Sequence, residues 1–157
     1  MTVRVRPVVA RDESQWSVLY AGYRSFYKLP EDGDGDGVAG TWQWVITGAH
    51  GLVGLVETDA DDRLLGLANL RRFARPSTAT LGLYLDDLFT SPASRGTGVA
   101  TALLEEAAAV ASREGASVVR WITATDNAPA RRVYDGVATA TPWVTYDMKP
   151  TLQPGAQ

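Results

Sequence analysis

The chain has no cysteine, which excludes disulfides, a thiol nucleophile and any cysteine-based zinc site. Its one histidine is His50, which follows a short predicted helix and reads as a surface residue at a helix C-terminus. No apolar run approaches the length of a membrane span. Met1-Thr2-Val3-Arg4 does not open a signal peptide, so the expected location is the cytoplasm. Positive charge is not in excess: the net charge of −3 argues against a nucleic-acid partner and mildly favours a cationic one. No internal repeat is present. What remains is ordinary: 157 residues, 45% hydrophobic and 21% charged, suit one globular domain with a core of its own. The expected domain spans residues 1–149, with 150–157 as a disordered C-terminal tail.

The hydrophobic pattern divides this domain into alternating elements. Val3, Val5 and Val8, with charged residues between, read as a first strand. Asp12 is a candidate N-cap for a helix carrying Trp16, Leu19, Tyr20, Tyr23 and Phe26, which Pro30 ends. Val38–His50 reads as a second helix. Leu52–Glu57 and Arg63–Phe73 are predicted strands joined by the turn Thr58–Asp62. Leu81–Phe89 is a strand broken by Ser91 and Pro92. From Val99 the period becomes helical, with Val99, Leu103, Ala107 and Val110 on one face. A strand over Ser117–Thr123, a helix over Ala128–Val137 and a last strand over Trp143–Met148 complete the order. Such an order predicts an α/β (α+β) domain with a mixed sheet.

The segment between the Leu81–Phe89 strand and the Val99 helix, Arg95-Gly96-Thr97-Gly98-Val99-Ala100, concentrates free backbone N–H groups at a helix start, a setting that favours an anion such as pyrophosphate. Side chains at positions 96 and 98 would hold phosphates away from the backbone. A Walker loop is excluded, for no lysine or matching spacing is present. A dinucleotide fingerprint is disfavoured because Thr101 stands at the third glycine position and the motif lies past mid-chain.

Arg95-x-x-Gly98-x-Ala100 resembles the [QR]-x-x-G-x-[GA] signature of the GNAT superfamily of N-acetyltransferases. Two further elements carry the resemblance. Asn127-Ala128-Pro129-Ala130-Arg131-Arg132-Val133-Tyr134 resembles N-x-x-[AS]-x-x-x-Y, and Tyr84-Leu85-Asp86-Asp87-Leu88-Phe89 looks like the Y-L-E-D-[LF]-F strand of the diamine and polyamine (spermidine/spermine) branch. Tyr23, Phe26-Tyr27-Lys28 and Trp121-Ile122-Thr123 also recur in that group. The resemblance spans about residues 3–148. It implies a single domain with a mostly antiparallel central sheet flanked by about four helices.

For function the resemblance implies transfer of an acetyl group from acetyl-CoA to a primary amine, a di- or polyamine among the candidates. Arg95–Thr101 (Arg95, Gly96, Thr97, Gly98, Val99, Ala100, Thr101) would hold the pyrophosphate. The backbone of Leu88, Phe89 and Thr90 would pair with the pantetheine and polarise the thioester, and Asn127 and Ala130 would lie against the CoA arm. Tyr134 would protonate the leaving thiolate. Asp86 would be the general base and Asp87 the counter-charge for the acceptor, with Phe26, Tyr27 and Trp121 lining its site. Neither metal, membrane nor nucleic acid enters this reading; a homodimer stays open. So do an aminoglycoside, protein N-terminus or lysine as acceptor, and a non-catalytic acyl-CoA-binding module.

Read without the resemblance, these residues admit plainer roles. Asn127 suits a helix N-cap and Tyr134 an amphipathic surface residue. Asp86 and Asp87 suit an exposed edge strand, since strand alternation sends neighbours to opposite faces; the family bulges this strand, and a bulge re-aims side chains. Asp86 stands where the family has Glu, and Tyr134-Asp135-Gly136-Val137 replaces the usual close of the tyrosine helix. Elsewhere, Asp32-x-Asp34-x-Asp36-Gly37 matches the opening of a calcium loop, but Gln43 occupies the twelfth position in place of Glu. The stretch Glu31–Gly37 therefore reads as an acidic loop able to draw in a cation. Arg71, Arg72 and Arg75 read as a solvated face, and Trp42, like Trp121, is a candidate pocket wall.

Overall fold

The fold is centred on β3 (Leu64–Arg75) and β4 (Thr80–Thr90), a long antiparallel pair. The computed structural model describes residues 4–29 and 37–155. β1 (Arg4–Pro7) and β2 (Leu52–Thr58) extend the sheet on the β3 side, each antiparallel to its neighbour, and β5 (Val119–Arg120) joins β4 in parallel. The order in space is the order in sequence, β1-β2-β3-β4-β5. Around the sheet lie α1 (Glu13–Phe26), α2 (Gly37–Thr47), α3 (Val99–Arg113) and α4 (Ala128–Asp135).

Strand alternation splits the core in two. Leu55, Ala68, Leu70, Leu83 and Leu85 meet Val99, Leu103, Ala107 and Val110 of α3. The opposite face sends Val56, Leu67 and Phe89 toward Trp16, Leu19 and Tyr20 of α1 and Trp42 and Val45 of α2. The period-2 and period-3.6 patterns of the sequence thus interlock as expected. Gly66 sets the height of α3: a Cβ there would lie 2.6 Å from Val99 Cγ1 and 2.8 Å from the Phe89 carbonyl oxygen.

Several expectations need correction. Asp12 stands at the N-cap position of α1 as expected, but its side chain does not cap the helix. Its carboxylate instead accepts the Val9 N–H and two hydrogen bonds from Arg6, at 2.7 and 2.9 Å. Trp42 is no pocket wall, for it is buried and packs on Trp16 with ring centroids 5.2 Å apart. β4 is interior at Leu83 and Tyr84, where β5 pairs with it, while its Asp86–Thr90 stretch has no second strand beside it among the described residues. β5 is shorter than its sequence pattern, and residues 143–148 form no strand and are exposed. Backbone pairing needs a neighbouring strand, and among the described residues that segment has none. His50 is at the surface, its ring edge-on to Trp44. Pro30 and the acidic loop Glu31–Asp36, with its calcium-like spacing, lie outside the described residues.

Candidate active site

The register of β3 against β4 slips between Asn69 and Leu70: Asn69 faces Asp87 while Leu70 faces Leu85, so Asp86 is the extra residue of a bulge. Asn69 and Arg71 stand two apart on β3 and therefore share a face. Asn69 Nδ2 donates to Asp87 Oδ2 at 3.0 Å, and Arg71 Nε donates to both Asp86 oxygens at 2.9 and 3.1 Å. Both carboxylates consequently lie on the face toward α1, which a regular strand would forbid. Asp87 also accepts from the Tyr20 hydroxyl at 3.2 Å, and the Tyr23 hydroxyl reaches the Asp86 carbonyl at 3.4 Å.

Burial raises the Asp86 pKa; Arg71 draws it down, and the charge of Asp87 pushes it up again, with a net upward shift. Burial and then Asp87 push the Tyr20 phenol up to about 12, and the same causes raise Tyr23. These phenols therefore stay protonated and act as donors, Tyr20 to the Asp87 carboxylate and Tyr23 to the Asp86 carbonyl. The two carboxylates thus differ in their partners. Arg71 meets Asp86 as a cation, whereas Asn69 and Tyr20 meet Asp87 as neutral donors.

Along α1, Trp16, Tyr20, Tyr23 and Tyr27 recur at helical spacing and touch in series, with centroids 4.7, 5.6 and 4.9 Å apart. Phe26 and Tyr27 end this row and are exposed. Arg95 spans from the glycine-rich turn to the same place, its guanidinium 5.6 Å from the Phe26 ring centroid and 5.9 Å from that of Phe89.

The turn itself is open. Gly96 and Gly98 have φ of 75° and 92°, a left-handed backbone that side chains rarely adopt. A Cβ at either would meet nothing within 4 Å. The hydrogen bond from Ala102 N–H to the Gly98 carbonyl, 3.0 Å, is the first of α3. It leaves the amides of Val99, Ala100 and Thr101 without an acceptor among the described residues. Thr97 turns its hydroxyl back to the Ser94 carbonyl at 2.6 Å. Open space, free amides and a helix dipole at one spot suit a pyrophosphate.

A wedge opens beside it. β5 pairs with β4 only at Leu83–Val119 and Tyr84–Arg120. From Asp87 to Thr90, which includes Leu88 and Phe89, β4 is paired among the described residues on its β3 side alone. Across the wedge, Tyr134 on α4 packs edge-on to Trp121 with centroids 5.3 Å apart. Burial, then the charge of Tyr27, raise the Tyr134 pKa. Asn127 occupies the N-cap position of α4 without a side-chain cap; its Nδ2 reaches Thr123 Oγ1 at 3.5 Å. Ala130 lies in the first turn of that helix, half-buried.

Contacts join the bulge to the tyrosines of α1 and the end of α1 to Arg95 of the glycine-rich turn, and Tyr27 bears on Tyr134 of α4, whereas Trp42 stands apart in the core. Sequence reasoning missed Asn69, Arg71 and Tyr20 as supports of the bulge. Asn69 had a signal, being one polar residue in the apolar run Leu64–Leu70. Arg71 had none, because its partner depends on a register that only the bulge creates.

The family model described as "Acetyltransferase (GNAT) family" matches residues 15–136. No curated protein matches the chain. Among solved structures, a ribosomal-protein-alanine N-acetyltransferase from Brucella melitensis biovar Abortus 2308 is 20% identical, with a TM-score of 0.77 over 96% of this chain and 100% of the other. AAC(6')-Iy in complex with the bisubstrate analogue CoA-S-monomethyl-acetylneamine is 17% identical, with a TM-score of 0.80 and the same coverage. An aminoglycoside acetyltransferase from an uncultured soil metagenomic sample is 19% identical, at 0.76 and again 96% and 100%. At such identities the likeness is one of fold.

Proposed function

The chain belongs to the GNAT acetyltransferase family, and from that membership and the geometry of the site we propose that it acetylates a primary amine, with a di- or polyamine as the favoured acceptor. The observation that carries this reading is the bulge, which sets Asp86 and Asp87 on one face beside the tyrosines of α1.

Acetyl-CoA, when bound, supplies a thioester whose carbonyl carbon the amine attacks and whose sulfur leaves. The amides of Val99–Thr101 and the open turn at Gly96–Gly98 would hold its pyrophosphate, with Arg95 alongside. The unpaired edge of Leu88–Thr90 would take the pantetheine and polarise the thioester oxygen. Asn127 and Ala130 would contact the same arm. An acceptor ammonium, whose unperturbed pKa is about 10.4, must lose a proton before attack. Asp86 takes that proton through water in this reading, and its raised pKa makes it a better base than an exposed aspartate. Asp87 supplies the counter-charge, and Phe26, Tyr27 and Trp121 wall the acceptor. Tyr134, kept protonated by burial, returns a proton to the leaving sulfur. The C–N bond forms as the C–S bond breaks, and the nitrogen sheds its second proton to water, from which Tyr134 is reprotonated, giving an amide, free CoA and one net proton released by Asp86 to solvent.

A second acceptor class has its own support. Phe26 and Tyr27 are 55% and 44% exposed, which leaves room for a bulkier cation, and two of the solved relatives are an aminoglycoside acetyltransferase and a complex with an acetylneamine conjugate. Free-CoA release measured with polyamines, aminoglycosides and peptides separates these classes. The expected result is the highest kcat/KM with a diamine or polyamine. Tight acetyl-CoA binding with no release on any amine would replace the enzyme by a binding module.

A further inference from the structure

Arg95 opens the glycine-rich turn, yet its side chain reaches across to the end of α1. Its guanidinium stands 5.6 Å from the ring centroid of Phe26 on α1 and 5.9 Å from that of Phe89 on β4. Arg95 is exposed, and among the described residues no carboxylate pairs with it. Its charge therefore rests on two aromatic faces alone. An exposed contact of that kind is weak, whereas a charge-assisted bond from a guanidinium to a phosphate is among the strong ones. The free amides of Val99–Thr101 lie just beyond Gly96 and Gly98, around which the space is open.

We propose that Arg95 couples the cofactor site to the acceptor site by moving its charge between them. In the free protein the guanidinium covers Phe26 and Phe89. Pyrophosphate draws it off the rings, and the uncovered Phe26 face then receives a cationic part of the acceptor. The proposal rests on the acetyl-transfer reading above and adds the residue that links acceptor affinity to cofactor occupancy. Charge sets the direction of the link. While Arg95 lies on Phe26, it occupies a ring assigned to the acceptor wall and repels an approaching ammonium. Once phosphate has neutralised the guanidinium, the ring, 55% exposed, offers its negative face to a cation. Linkage makes the effect reciprocal, so the acceptor tightens the cofactor by the same factor.

The test uses the whole chain, CoA in place of acetyl-CoA so that no turnover occurs, and the amine with the highest kcat/KM in the acceptor comparison. Calorimetry measures amine binding with and without saturating CoA. The parent should bind the amine at least about tenfold more tightly when CoA is present, within the usual range of coupling between sites. Arg95→Gln keeps the [QR]-x-x-G-x-[GA] pattern and the backbone amides but removes the charge. Without CoA it should bind the amine more tightly than the parent does, and its ratio with and without CoA should fall to near one. An undiminished ratio in Arg95→Gln overturns the proposal, and so does a ratio near one in the parent. A second measurement needs neither variant nor amine. The Phe26 ring protons and the Arg95 Nε–H should shift together in NMR spectra as CoA, or inorganic pyrophosphate, is added. Phe26 signals that stay in place while CoA binds overturn the exchange. Failure of the underlying reading looks different: no CoA is released from acetyl-CoA on any amine. Normal release without coupling overturns the role of Arg95 alone.

Discussion

Arg71 holds Asp86 through a single nitrogen, with Nε 2.9 and 3.1 Å from the two carboxylate oxygens and the guanidinium 4.4 Å from the centroid of the Tyr84 ring. Both side chains of the pair are partly exposed, so the contact contributes no more than about 0–1 kcal/mol. An incoming ammonium can therefore displace it. The pair is then a reversible cover on the proposed base rather than a fixed structural brace.

Replacing Arg71 by Gln removes an influence that lowers the Asp86 pKa, so Asp86 takes up its proton at a higher pH. The acidic limb of kcat/KM should move upward in pH, with the largest loss of rate at the acid end. Steady-state profiles of the two proteins check this. A limb that stays in place removes Asp86 as the base.

Gly98 tests the cofactor site. Its φ is 92°, and a Cβ added there would stand in open space. Gly98→Ala should therefore cost about 1–2 kcal/mol of stability from the backbone alone. Gly98→Asp carries the same backbone strain and adds a negative charge where the pyrophosphate is placed. Calorimetry should find acetyl-CoA affinity abolished in the Asp variant and retained in large part by the Ala variant. Equal affinities in the two would move the pyrophosphate elsewhere.

Much of this site was legible because its signals are local. A glycine-rich helix entry, an apolar strand and an Asn-to-Tyr helix spacing are each written in a few consecutive residues. Strand and helix periods likewise located β2, β3, β4 and α3 to within about two residues. What was not legible depends on register. Whether Asp86 and Asp87 share a face turns on one extra residue in β4, and the Arg71 and Asn69 contacts follow from it. Asp12 stands at the N-cap position of α1, but its side chain makes no cap bond for a similar reason: Arg6, six residues earlier, arrives through the sheet and takes its carboxylate. Residues 143–148 have a strand's composition, but composition cannot supply the neighbour that a strand needs.

Tyr134→Phe separates acid from scaffold. The ring keeps its contact with Trp121, while the hydroxyl is lost. Turnover should fall by about 10²–10⁴, the range for a positioned proton donor, with acetyl-CoA affinity nearly unchanged. Undiminished turnover assigns the proton to another group or to water.

Two buried carboxyl groups give stability opposite pH dependences. Burial alone would raise Asp12, but the hydrogen bonds from Arg6 and the Val9 amide outweigh it and lower its pKa. Its contribution is present above the unfolded value of about 3.9 and is lost as pH falls through the depressed native value. Asp12→Asn leaves the buried Arg6 with only the partly exposed Asp62, 3.1 Å away, as a counter-charge, and should cost less than the roughly 3–5 kcal/mol of a wholly unpaired buried charge. Glu57 is buried, its Oε2 has no hydrogen-bond partner among the described residues, and burial raises its pKa. Stability is therefore fullest below about pH 4.3 and declines as pH rises through the raised native value. Glu57→Gln should remove that decline. Urea unfolding of both variants and the parent across pH reads the two slopes, and parallel curves for Glu57→Gln and parent would mean that Glu57 does not titrate in this way.

Asp87 decides the acceptor class. Asn69 and Tyr20 hold it as neutral donors, so these hydrogen bonds fix its position without cancelling its charge. An acceptor with two positive charges should place one at Asp87 and present the other, deprotonated, for attack. Asp87→Asn keeps the size of the side chain and removes the charge. It should raise KM for a diamine more than for a singly charged amine of equal length, and the difference should shrink as salt screens the interaction over about 8–10 Å. Asp86→Asn should instead lower turnover for both amines, most at low pH, where unprotonated amine is scarce. The two variants and two amines form one steady-state comparison across pH and salt. An Asp87→Asn effect of the same size on both amines would leave the bulge with no selectivity for charge number, and the polyamine reading would give way to an acceptor recognised by its shape.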